Sequence, residues 1–265
     1  REHGVESAQP ISQALEALPR VDGEAGEDGD ADADGDGPRG HYRTVDLDYY
    51  ESVSEEVRTV LHEVAETVRE VSIDEAYLDV TDRVGWHSVA VFARSLKRRI
   101  DEEVGVPASV GVAPNMSTAK VASDHDKPDG LVVVRPGEVR EFLAPLSVEA
   151  IHGVGPVTAR ELRGMGVETA GDLAAADPGV LREAFGKRGP AMRRRARGED
   201  DRSVEPRGRP KSLNRESAFA EPTADPAAKR ERVRALAADV ADRARSREAL
   251  YRTIGVKVVR PPFDV

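Results

Sequence analysis

The sequence predicts an α+β protein of several domains, and three regions of different pattern lead to that prediction. Residues 41–145 alternate helix-type and strand-type patterns, so β-strands backed by helices are expected there. Residues 146–206 contain only short helical patterns broken by glycines, which predicts an all-helical domain. Residues 207–265 combine strand-like and helical segments, which indicates a partial α/β domain.

The predicted elements of the first 145 residues follow from apolar spacing. Residues 10–18 form a short amphipathic pattern with a proline near its start, which predicts a helix. Apolar residues at helical spacing predict a second helix from residue 49 to about 68. A third helix over 88–104 is closed by Gly105. The remaining elements are strands over 71–81, 108–112 and 131–134 and a short helix over about 116–124.

The rest of the chain is predicted on the same grounds. Residues 156–165 form a helix with Gly166 as its C-cap, and residues 226–247 form a longer helix. Strand-like segments flank the longer helix at 211–219 (KSLNRESAF) and 253–259 (TIGVKVV). One helix and two strands cannot close a layered domain, so we expect more of this domain after the last residue.

Composition excludes several classes of protein. The 265 residues include no cysteine, which excludes a disulfide framework and a thiolate nucleophile or metal ligand. No apolar run approaches the roughly 18 residues of a membrane helix, and no basic-then-apolar signal pattern opens the chain. A soluble cytoplasmic protein with no membrane partner is therefore predicted.

The charge is distributed unevenly. Residues 21–36 hold eight acids and no base. Of the net charge of −10, the rest of the chain therefore carries only −2. This Gly/Asp/Ala-rich region, 21–40, cannot bury a core, and a disordered acidic linker is expected. Residues 187–215 carry eleven Lys/Arg against four acids, which favours a polyanionic partner there. Abundant Asp and only seven lysines among 39 bases are typical of salt-adapted proteins.

Two adjacent acids, Asp74 and Glu75, lie within the run SIDEAYLDV at 72–80. Adjacent side chains of a regular strand point to opposite faces, so both can serve one site only at a strand end or tight turn. Carboxylates in an apolar hairpin favour a cation, and Mg²⁺ typically takes one or two carboxylates and completes its shell with phosphates. An exposed acidic turn without a ligand is the alternative.

A second candidate site is the run Gly153-Val154-Gly155 between two short predicted helices. Glycines let backbone N–H groups approach a phosphate, and the following helix N-terminus adds positive potential. With the basic stretch 187–215 downstream, this hairpin predicts contacts to a nucleic-acid backbone. A plain turn is the alternative.

Other patterns are set aside. Asp30-x-Asp32-x-Asp34-Gly35 resembles the start of a calcium loop, but its twelfth position is His41 instead of a bidentate glutamate. The six histidines show no ligand spacing, and Trp86 is interpreted as a core or turn aromatic.

Several runs together carry a family resemblance. SIDEAYLDVTD (72–82) resembles the second catalytic motif of Y-family (translesion) DNA polymerases of the DNA polymerase IV type. SVGVAPNMSTAKVASDHDKPDG (109–130) resembles a strand–helix segment of that family, with Asp129 where the family has Asn. Three further runs resemble the end of the fingers, the helix-hairpin-helix of the thumb and the start of the little finger: REHGVESAQPISQAL (1–15), IHGVGPVTARELRGMGVETAGDL (151–173) and KSLNRES (211–217).

The resemblance implies template-directed, error-prone DNA synthesis by two-metal-ion nucleotidyl transfer. Asp74 would ligate a catalytic Mg²⁺, and Glu75 would ligate it or lie near the primer 3′-oxygen. Lys127 and Arg1 match residues that contact the triphosphate of the incoming dNTP. The residues expected to contact primer–template DNA are Gly153, Val154, Gly155, Lys211 and Arg215.

Family order also implies the domain organisation. It consists of the end of the fingers (1–20), an acidic disordered linker (21–40), the palm (41–145), a helix-hairpin-helix thumb (146–206), and a linker with an incomplete little finger (207–265).

The family's first catalytic motif, Asp-x-Asp followed by aromatics, lies upstream of the fingers. Residues 44–50 (TVDLDYY) resemble it but match the segment before the palm helix, so Asp46 and Asp48 are interpreted as helix N-terminal acids. We therefore expect the chain alone to bind DNA without extending a primer. A monomer from a halophilic archaeon is expected, with a sliding clamp as a further partner through a later segment. The alternative function is a non-enzymatic helix-hairpin-helix DNA-binding repair accessory.

Overall fold

The computed structural model describes residues 2–5, 9–21, 37–208, 210–219 and 221–260. Contacts divide the chain into two compact units, Arg1–Val204 and Glu205–Val265. Three sequence predictions fall outside the described residues: the nucleotide contact of Arg1, the acidic run at 22–36, and the calcium-loop pattern within that run. No helix in the described ranges is both long and apolar enough to cross a bilayer.

The first unit combines helices with two small sheets. Its helices are α1 (Ile11–Ala17), α2 (Leu47–Val64), α3 (Val89–Val104), α4 (Met116–His125), α5 (Val139–Leu143), α6 (Pro156–Gly164), α7 (Ala170–Ala175), α8 (Pro178–Phe185) and α9 (Arg188–Ala196), with a 3₁₀ turn at Val148–Ala150. Its strands are β1 (Thr67–Glu70), β2 (Ala76–Asp79), β3 (Val110–Val112) and β4 (Leu131–Val133). The predicted mixture of strands and helices before residue 145, followed by short helices alone, is confirmed.

The two sheets have different connections. β1 and β2 form an antiparallel hairpin with Glu70 opposite Ala76. β3 and β4 pair in parallel, and α4 is the crossover between them. A parallel pair needs such a crossover, and the 18 residues from 113 to 130 provide it. The hairpin and α4 are the two elements that carry the candidate site.

Two apolar cores hold these elements in place. The smaller core joins α2, α3 and the hairpin through Val60, Leu61, Val68, Leu96 and Ile100. The larger core joins α4 and α5 to the short helices between 148 and 196, and Leu162, Leu173 and Leu181 are fully buried in it. Each fully buried leucine contributes about 1.5–3 kcal/mol of transfer free energy.

The boundary between α2 and β1 differs from the prediction. The predicted helix ran to about residue 68, whereas α2 ends at Val64 and Ala65 is already extended. Thr67 and Val68 then pair with Asp79 and Leu78 of β2. These β-branched residues fit a half-buried strand, so tertiary pairing overrides the helical spacing.

The second unit contains α10 (Pro226–Ser246), as predicted. The strands predicted at 211–219 and 253–259 are wrong: none of the described residues there belongs to a strand. Ile254 is 95% exposed, and Leu250 just before that segment is fully exposed. A strand requires a hydrogen-bonded neighbour, and these segments have none within the described part of the unit.

Candidate functional site

The two adjacent acids lie at the turn of the β1–β2 hairpin. The turn is closed by hydrogen bonds from the N–H groups of Val71 and Ser72 to the carbonyl of Glu75, at 2.8 and 3.2 Å. Because Asp74 and Glu75 precede the first residue of β2, they escape the alternation of a strand. Both are at least partly exposed. The strand predicted over 71–81 is therefore wrong for residues 71–75, which form the turn, and β2 covers only Ala76–Asp79. This turn meets the condition under which both acids can serve one site.

Side chains around the turn hold it in shape. The hydroxyl of Ser54, buried on α2, donates to the carbonyl of Ile73 in the turn. The hydroxyl of Ser72 donates to Oδ1 of Asp74 at 2.6 Å. These contacts fix the backbone that carries both carboxylates and orient one oxygen of Asp74.

Glu75 belongs to a chain of alternating charges along α4. Lys120 Nζ donates to Glu75 Oε1 and lies 3.1 Å from Oδ2 of Asp124, one turn further along the helix. Lys127 Nζ lies 2.8 Å from the other oxygen of Asp124. Glu75, Lys120, Asp124 and Lys127 thus form a neutral chain of two acids and two bases. It connects the hairpin turn to the loop after α4.

The pKa values within this chain favour the charged forms. Burial alone would raise the pKa of Asp124, but hydrogen bonds from Lys127 and Lys120 hold it below its usual value. Burial alone would lower the pKa of Lys120, but the hydrogen bonds to Glu75 and Asp124 raise it. Both groups are therefore ionised at neutral pH.

Lys127 precedes a turn that contains Asp129. Asp129, where the family has Asn, has a φ of 56° in the left-handed region, which Asp tolerates better than most residues. Its carboxylate lies 2.9 Å from Nζ of Lys97 on α3. The carboxylate of Asp129 therefore ties the turn after α4 to α3.

A cleft of 1580 Å³ runs beside the turn. Asp74, Glu75, Lys120 and Lys127 all line it. Its other walls come from α2, α3, β2, β3 and the start of α4. The structure therefore brings together three of the four residues predicted for metal and nucleotide, and it adds Lys120.

The donor set has the chemistry of part of a magnesium site. No group of three or more His, Asp or Glu that could hold a metal ion occurs among the described residues. However, Mg²⁺ commonly takes only one or two carboxylates from a protein, and phosphates and water complete its shell. An open turn with two carboxylates can supply that number. Asp74 and Glu75 fit that requirement.

The two other acids considered earlier have a structural role. Asp46 is the N-cap of α2, and its Oδ1 accepts from the N–H of Tyr49 at 3.0 Å. Asp48 lies in the first turn of the same helix. Their interpretation as helix N-terminal acids is confirmed.

The glycine hairpin lies between the 3₁₀ turn and α6. Gly153 has a φ of 94°, and Gly155 is the N-cap of α6. Val154 is only 6% exposed and its N–H donates to the carbonyl of Ile151 at 2.9 Å, so this residue presents neither its side chain nor that N–H to a ligand. A phosphate at this hairpin would therefore meet the backbone of the two glycines.

Arg195 supports the hairpin from α9. Its Nη1 donates to the carbonyl of His152 at 2.9 Å. The same atom lies 2.8 Å from the position of a Cβ on Gly153, so a side chain there would require Arg195 to shift. Burial and the positive charge of Arg195 lower the pKa of His152, which favours a neutral imidazole there.

A contact between distant parts of the chain fixes the start of α4. Asp200, whose side chain is 5% exposed, accepts from the N–H of Ser117 at 3.1 Å and pairs with Arg202 at 2.7 Å. Asn115, the N-cap of α4, donates through its amide to the carbonyl of Gly198 at 2.9 Å. A carboxylate at a helix N-terminus is electrostatically favourable, so the segment after α9 anchors the helix that carries Lys120.

The two predicted DNA contacts of the second unit are on its surface. Arg215 pairs with Asp239 of α10 at 3.0 Å, and Lys211 is exposed. The guanidinium of Arg215 is therefore partly occupied within its own unit.

Sequence reasoning missed Lys120, Asp200 and Arg195. Lys120 has a local signal, because it stands four residues before Asp124 on a helix. The contacts of Asp200 with Ser117 and of Arg195 with His152 have no such signal, since they span 83 and 43 residues.

Comparison with known families covers most of the chain. Residues 1–124 match the impB/mucB/samB family, residues 136–167 match the IMS family HHH motif, and residues 210–265 match the impB/mucB/samB family C-terminal domain. The three matches occur in the order that the sequence resemblance implied.

Relatives and solved structures agree with these matches. The chain is 61% identical over its whole length to DNA polymerase IV of Halobacterium salinarum and spans 62% of that protein. It is 39% identical to DNA polymerase IV of Alkalilimnicola ehrlichii, with 97% of the chain and 68% of the relative covered. It is similar to the crystal structure of DinB from Sulfolobus solfataricus and to the insertion ternary complex of Dbh DNA polymerase. Both are 31% identical with a TM-score of 0.65, covering 77% of this chain and 55% of theirs. The chain therefore belongs to the DNA polymerase IV family of Y-family DNA polymerases.

Proposed function

We propose that the protein containing this chain carries out template-directed, error-prone DNA synthesis from dNTPs. The observation that carries the proposal is the placement of Asp74 and Glu75 at a hairpin turn, on the wall of a cleft that two lysines also line. Carboxylates that hold metal ions and lysines that hold phosphates are the groups that phosphoryl transfer needs.

Each residue has a proposed role. Asp74 and Glu75 would hold Mg²⁺, which when bound stabilises the attacking and leaving oxygens of an in-line displacement. Lys127 places an ammonium beside the cleft, where it can donate to a triphosphate oxygen in place of Asp124. Arg1 is proposed as a second contact to the triphosphate.

Primer–template DNA is the proposed macromolecular ligand. The backbone of Gly153 and Gly155 at the start of α6 supports a phosphate contact without base readout. Lys211 and Arg215 are proposed to contribute further backbone contacts. These roles follow the proposed division into palm (41–145), thumb (146–206) and little finger (207–265).

The alternative of a non-enzymatic DNA-binding accessory is not favoured. A pure binding module needs neither the acidic turn nor the lysine chain beside it. The family matches cover the acidic turn, Lys120 and Asp124 at residues 1–124 and the helix-hairpin-helix at residues 136–167.

Primer extension by the full-length protein tests the proposal. Asp74→Asn should abolish extension in the presence of Mg²⁺ and dNTPs while DNA affinity stays within a few-fold, because it removes a metal ligand and no phosphate contact. Asp82→Asn is the matched control, since Asp82 is an exposed acid just beyond the other end of the same hairpin. Extension by Asp74→Asn at the rate of the control would refute the role of Asp74.

A further inference from the structure

Lys120 has a position that no other lysine of the site shares. It lies on α4, and its ammonium contacts an acid of the hairpin turn, Glu75, and an acid of its own helix, Asp124. Its side chain is 24% exposed, which makes it the least exposed member of the charge chain, since Glu75, Asp124 and Lys127 are 37, 45 and 51% exposed. Such an ion pair is screened less by salt than one fully in water.

The helix that carries Lys120 is firmly placed. Thr118, Val121 and Ala122 are buried, and α4 packs against both β3 and β4. Its first turn is capped by Asn115 and held by Asp200. The ammonium of Lys120 is therefore presented from a rigid element to an open turn, and it can orient the carboxylate of that turn.

Asp124 is shared between two cations. One of its oxygens lies 2.8 Å from Lys127 Nζ, and its carboxylate also accepts from Lys120 at 3.2 Å. A carboxylate that divides its charge between two ammonium groups holds each less strongly than it would hold one alone. Removal of Lys120 would leave Lys127 as the sole cation on Asp124 among the described residues.

We propose that Lys120 is a positioning residue that orients Glu75 and, by sharing Asp124, keeps Lys127 available to the triphosphate. The proposal rests on the proposed function and adds a residue to it. Lys120 acts through its two acidic partners and touches neither the metal nor the nucleotide. Its loss should therefore weaken triphosphate binding and also slow the chemical step, by two separable routes.

The test measures two quantities in the full-length protein. One is the equilibrium affinity of the complex with 3′-dideoxy-terminated primer–template for a matched dNTP in Mg²⁺, and the other is kcat for extension of a normal primer. Lys120→Met should lower both by about tenfold, the usual scale for losing one positioned charge-assisted contact. Lys120→Arg keeps the charge on the helix and should retain both within about threefold.

A second substitution separates the two routes. Asp124→Asn removes the carboxylate that competes for Lys127, so Asp124→Asn alone should bind the dNTP at least as well as wild type. The double variant Lys120→Met/Asp124→Asn should recover triphosphate affinity to the level of Asp124→Asn. Its kcat should stay low because Glu75 still lacks the ion pair with Lys120. A tenfold fall in affinity on Asp124→Asn alone, or no recovery in the double variant, would overturn the sharing of Asp124.

Arg99 provides a matched control. It bridges Glu63 on α2 and Glu103 at i+4 on its own helix, as Lys120 bridges the turn and Asp124, but it does not line the cleft. Arg99→Met should leave both quantities within about twofold of wild type. If the wild-type protein is active and Lys120→Met behaves like Arg99→Met, the positioning role of Lys120 is overturned while the proposed function stands. A wild-type protein that neither binds the dNTP nor extends the primer would overturn the proposed function.

Discussion

Gly153→Ala tests whether the hairpin of the thumb depends on a residue without a side chain. Gly153 has a φ of 94°, where L-residues are strained. A Cβ there would also lie 2.8 Å from Nη1 of Arg195, which now donates to the carbonyl of His152. The substitution therefore introduces backbone strain and displaces a supporting hydrogen bond.

The magnitude follows from these two effects. A left-handed conformation costs an alanine roughly 1–2 kcal/mol. Loss of the Arg195 hydrogen bond adds about 1 kcal/mol, the net value of an ordinary intramolecular hydrogen bond, because Arg195 is only partly buried and water can replace its partner. The sum is about 2–3 kcal/mol, which corresponds to a fall in melting temperature of roughly 4–12 °C for a unit of this size.

Urea unfolding and thermal melting followed by circular dichroism measure the effect. Gly164→Ala is the control, because Gly164 is the last residue of α6 and a Cβ there meets nothing within 4 Å. It should be neutral or stabilise by up to about 1 kcal/mol, since alanine is the better helix former. Gly153→Ala as stable as wild type would refute the reasoning that Arg195 and positive φ reserve this position for glycine.

Three further perturbations test other parts of the structure. Lys127→Ala should raise KM for dNTPs about tenfold in steady-state extension, because a charge-assisted contact is lost; an unchanged KM would make Lys127 a loop lysine only. Burial alone would raise the pKa of Asp200, but hydrogen bonds from Arg202 and Ser117 lower it. The ionised Asp200 therefore stabilises the fold at pH values above the unfolded pKa of 3.8, and this stabilisation is lost as pH falls through the folded pKa. Urea unfolding at about pH 2–5 should then show a flatter acid limb for Asp200→Asn than for wild type, and parallel curves would contradict this. Deleting 22–36 should shift the melting temperature by less than about 3 °C, since backbone hydrogen bonds of 3.1 and 2.9 Å already join residues 19–21 to Gly40. The deletion should also tighten DNA binding at low salt, because it removes negative charge. A large destabilisation would contradict the prediction.

The sequence alone predicted those features that depend on near neighbours. Strand geometry set the condition that Asp74 and Glu75 can share one site only at a strand end or tight turn, and the hairpin turn meets that condition. Gly105 was expected to close a helix, and it does so in the left-handed region. Helical spacing and capping are set within a few residues of the chain, so a single sequence carries them.

The tertiary structure decided which charges meet. Glu75 and Lys120 are 45 residues apart, and Asp200 reaches the N-terminus of α4 across 83 residues. Spacing along the chain carries no sign of such pairs, because they form only when packing of the two apolar cores brings separate elements together. The strands expected at 211–219 and 253–259 are absent from the described residues for the same reason: β-type residues permit a strand, but only a hydrogen-bonded neighbour makes one. The pair of acids and the condition for their joint use were therefore readable from the sequence, whereas the contact of Lys120 with Glu75 was decided by the fold.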